Sequence, residues 1–479
     1  MIQYAFKEGI IVTIEIFAIF ASIVLLMYFA YKGVSILILA PALACITVLC
    51  SVDSSLLASY TEIFMKKLGG FTATYLPIFM LSAIFGKVVE VTGSAKVIAN
   101  SVTRFVGKEH AVMSVILSCA IMTYGGISLF VVVFAVYPIA SELFRSSNLP
   151  KRFIPAAIAI GAFTFTMTAL PGTPAIQNII PGSYFGTNTF AAPGIGLIAS
   201  LLMLFLGYGW INCKIRKAIS RGEKYRSEDK KSATIGRVVH YKANHVAAAF
   251  VPVVAVILLN FICSKYIFPN VGESMLNPAK YGNVDLKSVI SNWAIITALF
   301  CAIFLSVAFN YKKFKTLKRF LKVLNEGIES SFAPIFNTAS VVGYGAVINS
   351  LSAFNIIKNF IIGINAGVPT VSIAIATGVL AGITGSASGG MIIALDSLAK
   401  TYMEMAAASG IDPELIHRIV AISSGSLDTL PHNGAVITLL AICKLTHKES
   451  YKDIFIVSLL VPVIVTAAII IIGACFGSF

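Results

Sequence analysis

Charge is the scarcest ingredient of this 479-residue sequence. Only 12% of its residues are charged, against roughly 25% in an ordinary soluble domain, which excludes a simple soluble globule. Histidine is also rare, six residues in all. No nucleophile–histidine–acid set and no cluster with metal-ligand spacing can be picked out, so the sequence points away from an enzyme and from any resident cofactor or metal. The eight cysteines lie scattered, mostly within apolar runs and with no CxxC spacing; they read as small hydrophobes. Residues 1–9 hold one Lys and one Glu. They lack the basic start and small-residue cleavage site of a signal peptide, so the first apolar run is expected to be kept as a helix.

What the sequence does have is long apolar runs: 57% of residues are hydrophobic, and stretches such as 10–30, 246–263 and 454–472 approach or reach the ~17–25 residues of a membrane helix. The fold class that follows is an all-α polytopic membrane protein. The formal net charge of +15 does not indicate nucleic acid, because the positive charge sits in short loops between apolar runs, the positive-inside pattern. Segment 214–245 carries ten Lys/Arg and three acids and is expected to be a cytoplasmic linker; contact with anionic membrane lipid is its secondary reading.

The two halves can be laid over each other. Pro77-Ile78-Phe79 matches Pro334-Ile335-Phe336, Gly125-Gly126 matches Gly389-Gly390, and Leu170-Pro171 matches Leu430-Pro431, at offsets of 257, 264 and 260 residues. The expected organisation is a first repeat over 1–213, with a re-entrant hairpin at 111–145 and a broken helix at 153–180. After the linker comes a second repeat over 246–479, with a hairpin at 371–405 and a broken helix at 413–443. Each repeat also opens with two helices, an amphipathic stretch (54–69 or 312–323) and a third helix (73–92 or 331–350). If the Gly-centred segments turn back as hairpins, each repeat crosses five times, one crossing being the broken helix, and the two repeats are inverted. Of 36 Lys/Arg, 26 then fall inside and 8 outside, with Lys87 and Arg418 within helices and both termini outside.

Four polar loops are the candidate binding site. Irregular chain at membrane depth is tolerated only where protein or a cavity surrounds it, and matched Gly/Pro interruptions mark the binding sites of secondary transporters. The first hairpin turns at Tyr124, Gly125, Gly126 and Ser128, the second at Ser386, Ser388, Gly389 and Gly390. The broken helices add Thr168, Thr173, Gln177 and Asn178 from one half, and Thr429 and Asn433 from the other. Half-helix N-termini and neutral side-chain donors suit a carboxylate, and glycines allow close approach. No Lys or Arg lies in these loops, so an anion is expected to be held by dipoles and neutral donors. Asp428 and His432 are the expected ion-coupling pair, because an ionisable group at membrane depth is a functional candidate by default. Asp396 is a further candidate; Glu142, Glu90 and Arg418 are placed nearer the membrane interfaces. The alternative for any single motif is a helix-packing notch or kink.

The stretches 124–134 and 161–174, with 382–390 and 430–434, resemble the gluconate permease (GntP) family of the ion transporter superfamily, and the similarity runs through essentially the whole chain. The resemblance implies uptake of a small organic-acid anion such as gluconate or 3-hydroxybutyrate across the bacterial cytoplasmic membrane, with protons as co-substrate. It also implies inverted repeats, an elevator-type transport domain and a homodimeric scaffold. Paired Ser-Asn-Thr signatures are missing, which sets a sodium-coupled di- or tricarboxylate carrier behind a proton symporter; a passive anion channel or facilitator is the other alternative.

The orientation is open to direct test. In intact cells a membrane-impermeant maleimide is expected to label a cysteine at Asn188 and to spare one at Ser232 until the membrane is opened. Labelling of Ser232→Cys from outside contradicts the inside position of the linker.

Overall fold

The structure, a computed structural model, describes residues 2–225, 241–276, 278–282, 284–314, 316–363 and 369–479. Most of the expected basic linker, residues 226–240, lies outside them. The described chain is helical throughout, and seven of its helices are long and apolar enough to cross a membrane.

The first half runs α1 (Ile2–Tyr31), α2 (Ile36–Leu49), α3 (Leu56–Thr92), α4 (Ser94–Val106), α5 (Ala111–Tyr124), α6 (Leu129–Ser146), α7 (Ile154–Phe163), a single turn at Phe165–Thr168, α8 (Ile176–Phe185) and α9 (Pro193–Ser220). The second half has the same order: α10 (Ala243–Val271), α11 (Leu286–Phe309), α12 (Leu317–Ser350), α13 (Phe354–Gly363), α14 (Pro369–Thr384), α15 (Ala387–Ser409), α16 (Pro413–Ser424), α17 (Gly434–Cys443) and α18 (His447–Phe476).

Local chemistry explains many of these boundaries. Proline opens α7, α9 and α16 within the first turn, where its missing N–H costs nothing. Asp285, Thr316 and Asp412 cap α11, α12 and α16 by accepting from backbone N–H groups. Thr446 and Glu449 form a capping box at the start of α18. Gly93, Gly186 and Gly410 end helices in the left-handed region that glycine enters freely.

Two details differ from the sequence reading. The amphipathic stretches 54–69 and 312–323 do not stand apart from the third helix of each half. In α3 the chain passes through a π-helical turn at Ser59–Met65 and continues unbroken past Pro77 to Thr92. In α12 it runs without interruption through Pro334 for 34 residues. The amphipathic α4 and the short α13 were not visible as apolar runs because each spans too few residues to cross a bilayer.

Packing separates the bundle into two groups. The long helices α3 and α12 pack along each other, with α2 and α11 at their sides. Glycine makes this close: a Cβ on Gly327 of α12 would stand 2.8 Å from the Ile84 backbone of α3. The second group holds the two helix pairs α5–α6 and α14–α15 and the interrupted helices. α8 packs on α15 and α16, and α17 packs on α6, so each half's second half-helix lies against the other half. At one end of the bundle Arg152 bridges Glu223 and Asp453 at 2.8 and 3.2 Å, and Trp210 donates to Asp453 at 3.1 Å.

Helix approach sets the first stability test. A Cβ on Gly161 of α7 would meet the Ile116 carbonyl oxygen of α5 at 2.3 Å, whereas Gly209 of α9 has open space. Gly161→Ala is expected to lower the melting temperature of the purified protein by an overpacking cost of about 1–3 kcal/mol. Gly209→Ala is expected to be neutral or to stabilise by up to ~1 kcal/mol through helix propensity. Equal melting temperatures for Gly161→Ala and the parent protein contradict the α5–α7 contact.

Candidate functional site

The two interruptions fall where polar residues replace an apolar run. In the first, α7 stops at Phe163, one turn follows, and residues 169–175 run irregularly to α8. In the second, α16 stops at Ser424 and residues 425–433 run irregularly to α17. Pro171 and Pro431 stand in these irregular segments. Breaking a helix in hydrocarbon orphans backbone groups that must find partners in the protein.

At the first break the partners come from four directions. Tyr124 donates to the Pro171 carbonyl at 2.6 Å. Asn260 of α10 donates to the Gly172 carbonyl at 3.0 Å and to the Thr189 hydroxyl at 3.1 Å. Asn178 donates to the carbonyls of Thr173 and Thr189 at 3.1 and 2.8 Å. Arg418 of α16 supplies the rest. Its guanidinium donates to the carbonyls of Ala169, Thr189 and Ala191 and to Asn178 Oδ1, at 2.6–3.3 Å. One turn earlier, Glu414 accepts from Ala192 N–H at 3.0 Å.

Arg418, which the sequence reading places nearer a membrane interface, is enclosed by protein. Its side chain is 0% exposed and reaches from the second half into the first. The signal that could have found it is a lone arginine inside an apolar helical run, which is a functional candidate by default. Glu142 and Glu90 pair instead with Arg145 and Lys87 on their own helices, at 2.8 and 3.4 Å.

At the second break Asn433 does several jobs. Its Oδ1 caps α17 by accepting from Ala435 and Val436 N–H at 2.7 and 3.1 Å, and its amide donates to the carbonyls of Asp428 and Gly385 at 2.8 and 3.0 Å. The last bond ties the break to the turn of the α14–α15 pair. Thr429 and Ser458 bond each other at 3.0 Å, Tyr451 donates to the Thr429 carbonyl at 3.1 Å, and His447 meets the Pro431 carbonyl at 3.1 Å.

The four loops therefore form a chain of contacts. The α5–α6 turn touches the first break through Tyr124, and Gly126 leaves room for Pro174. The first break touches the second: a Cβ on Gly425 would stand 2.7 Å from the Thr168 Cγ2. The second break touches the α14–α15 turn through Asn433.

The individual side chains divide into two sets. Thr168 and Thr173 bond the carbonyls of Thr164 and Thr166, and Ser386 caps α15 through Gly389 N–H. Together with Asn178, Thr429 and Asn433 they build the loops. The tip glycines are closed in by neighbours: Gly125 by Val253 of α10, Gly126 by Leu299 of α11, Gly389 by Val341 of α12, and Gly390 by the Ala381 backbone of the facing arm. Ser388 is buried, while Ser128 and Gln177 are half-buried. Unbonded polar atoms remain at Thr123 Oγ1, Asp428 Oδ1 and His432 Nε2, all buried. Asp428 is 5% exposed, and His432 lies against Gly385 in the hairpin turn.

No family model matches the chain. It is 42% identical over 468 residues to "Uncharacterized transporter YxjC" of Bacillus subtilis (strain 168), covering 95% of this chain and 98% of that protein. The chain belongs to that transporter family. Among solved structures it is similar to the YdaH transporter of Alcanivorax borkumensis, whose crystal structure is described as having an unusual topology. The TM-score is 0.57 at 14% identity, over 89% of this chain and 90% of that one, so this likeness speaks to the fold alone. This chain is thus a multi-pass membrane transporter.

The transporter's dependence on Arg418 can be measured. Arg418→Met removes the side-chain donor from the carbonyls of Ala169 in the first break and Ala191 in the α8–α9 loop, each worth about 1–3 kcal/mol when buried and unpaired, and is expected to lower the melting temperature and abolish transport. Arg418→Lys keeps the charge but not the planar fork and is expected to restore neither fully. Wild-type stability in Arg418→Met contradicts the bonding described.

Proposed function

We propose that this transporter is a secondary active symporter that imports a small organic acid, of the gluconate or 3-hydroxybutyrate kind, together with protons. The observation that carries the reading is the pair of ionisable side chains with inaccessible, unbonded atoms at the second break, Asp428 Oδ1 and His432 Nε2, the aspartate buried and the histidine half-buried. Buried polar groups without partners are rare and costly, and a carboxylate and an imidazole four residues apart are chemistry suited to taking up and releasing a proton.

The helix ends support a division of labour between the halves. α15 and α17 are capped by their own Ser386 and Asn433. α6 and α8 begin at Ser128 and Ala175 with no side-chain cap bond. The uncapped starts belong to the turn and the break that Tyr124 joins. Free N–H groups and the positive ends of two helices there suit a carboxylate, with Tyr124, Ser128 and Gln177 beside it. Arg418 is already spent on carbonyls, so the acid is met mainly by neutral donors and can leave again. In this reading the first half holds the acid and the second holds the proton.

The resemblance to gluconate permeases supports the same substrate class. The division between the α3–α12 group and the group of hairpins and breaks supports an elevator-type movement, and the family resemblance adds a homodimeric scaffold. The orientation belongs to the same reading: inverted repeats in the cytoplasmic membrane, linker inside, termini outside.

Vesicles containing the purified protein provide the test, with pH, sodium and voltage gradients imposed separately. A pH gradient, acid outside, is expected to drive accumulation of labelled gluconate or 3-hydroxybutyrate. One proton with one monoanion moves no net charge, whereas an extra cation would add about 2.3 kcal/mol per 100 mV. Asp428→Asn is expected to keep acid–acid exchange but lose accumulation. Full accumulation by Asp428→Asn overturns the coupling assignment, and uptake indifferent to every gradient overturns symport.

A further inference from the structure

A cavity of about 310 Å³ lies away from the breaks, lined by Lys67 and Tyr75 of α3, Ser183 and Tyr184 of α8, Val342 of α12 and Asp396 of α15. Its position is informative, because it opens between the α3–α12 pair and the group that carries the hairpins and breaks. At roughly 30 Å³ per water it has room for about ten waters, or for one acid of about four to six carbons with a few waters left.

Its lining carries both signs of charge. Lys67 Nζ stands 2.9 Å from Asp396 Oδ2, and the Tyr184 hydroxyl donates to Asp396 Oδ1 at 2.7 Å. Ser183 donates to the Ser288 carbonyl at 3.3 Å. The Lys67 side chain is 51% exposed and that of Asp396 19%. An ion pair this open is weak and exchanges readily for another anion. A ligand satisfying the whole lining needs a carboxylate for Lys67 and a hydroxyl to donate to Asp396. A simple fatty acid leaves Asp396 unmatched, a dicarboxylate sets like charges together, and a neutral polyol leaves Lys67 without an anion.

The cavity also sits near one end of several lining helices. Lys67 is near the start of α3, Val342 is in the last third of α12 and Tyr184 is at the end of α8, while Asp396 lies midway along α15 between the hairpin turn and the helix end. In the orientation that the charge pattern favours, the start of α3 and the ends of α8, α12 and α15 face outward. We infer that this cavity is an outer station for the transported hydroxy acid, whose carboxylate displaces Asp396 from Lys67 and so unties α15 from α3. The inference rests on the proposed organic-acid function and adds to it: arrival of the solute itself loosens the contact between the two helix groups.

Gly70 lines the same cavity, and a Cβ there meets nothing within 4 Å, so Gly70→Cys reports occupancy without disturbing the fold. Labelling of that cysteine by a membrane-impermeant thiol reagent is followed by peptide mass spectrometry on the full chain in vesicles. At ten times its Kd, 3-hydroxybutyrate or gluconate is expected to slow labelling by about tenfold, as simple occupancy requires. Butyrate and sorbitol at the same concentration are expected to change it little. Adding Lys67→Gln is expected to remove protection, Lys67→Arg to retain it, and Asp428→Asn to leave it intact. Protection that survives Lys67→Gln, or that butyrate or sorbitol gives equally, overturns the inference. Uptake of either hydroxy acid with no protection at Gly70→Cys overturns the inference alone. Absence of both uptake and protection overturns the proposed function with it.

Discussion

A carbonyl that leaves a helix inside a bilayer has no water to turn to, and the centre of this molecule is organised around that constraint. The chain breaks two helices, and the orphaned groups are answered from distant parts of the sequence. Tyr124 answers Pro171, Asn260 answers Gly172, and Arg418 answers Ala169 while tying the α8–α9 loop to it at Thr189 and Ala191. At the other break His447 answers Pro431, and Asn433 answers Asp428 and Gly385. Neither break is stable alone. Each needs the other half or the helices that flank it, so the interruptions act as joints holding the two halves in register.

Arg418 is the strongest of these joints. It is a cation buried without a carboxylate among its hydrogen-bond partners, surrounded by carbonyl oxygens. The planar guanidinium suits that role because its donors fan out in one plane and reach several acceptors at once. By binding the first break from α16, it also brings the end of α16 against that break, which is why Gly425 must be small beside Thr168. The second break then stands next to the first with Asp428 buried, His432 half-buried and both incompletely bonded. Structure-building and unbonded polar groups are thus adjacent, as the proposed transport cycle needs.

Much of this was legible in the sequence, for physical reasons. Apolar runs bounded by basic loops give a polytopic helical protein, and the structure and the transporter relative agree. Pro171 and Pro431 are conspicuous because polar residues and proline at membrane depth need a reason. Other features were hidden. Arg418 lies ten residues before Asp428 in the chain, and nothing in linear order says that its long side chain crosses to the first half. The tip glycines read as room for a ligand, but Val253, Leu299 and Val341 fill that room, and those contacts are long-range. Asp396 stood out as an acid in an apolar run, yet its meeting with Lys67 joins residues 329 positions apart. The long courses of α3 and α12 were obscured because the charged, amphipathic stretches 54–69 and 312–323 interrupt the apolar pattern, whereas here α3 and α12 extend back into them and also absorb Pro77 and Pro334.

The adjacency of the two breaks is what everything else rests on, and it can be measured by cross-linking. A Cβ on Gly425 would stand 3.7 Å from the Thr168 Cβ, close to the ~3.8 Å separation of a disulfide. In the full chain carrying Thr168→Cys and Gly425→Cys, mild oxidation is expected to join the two positions, seen as a bridged peptide by mass spectrometry that reduction removes. Folded, membrane-inserted protein that gives no such bridge, while both cysteines remain reactive, would contradict the meeting of the two interrupted helices.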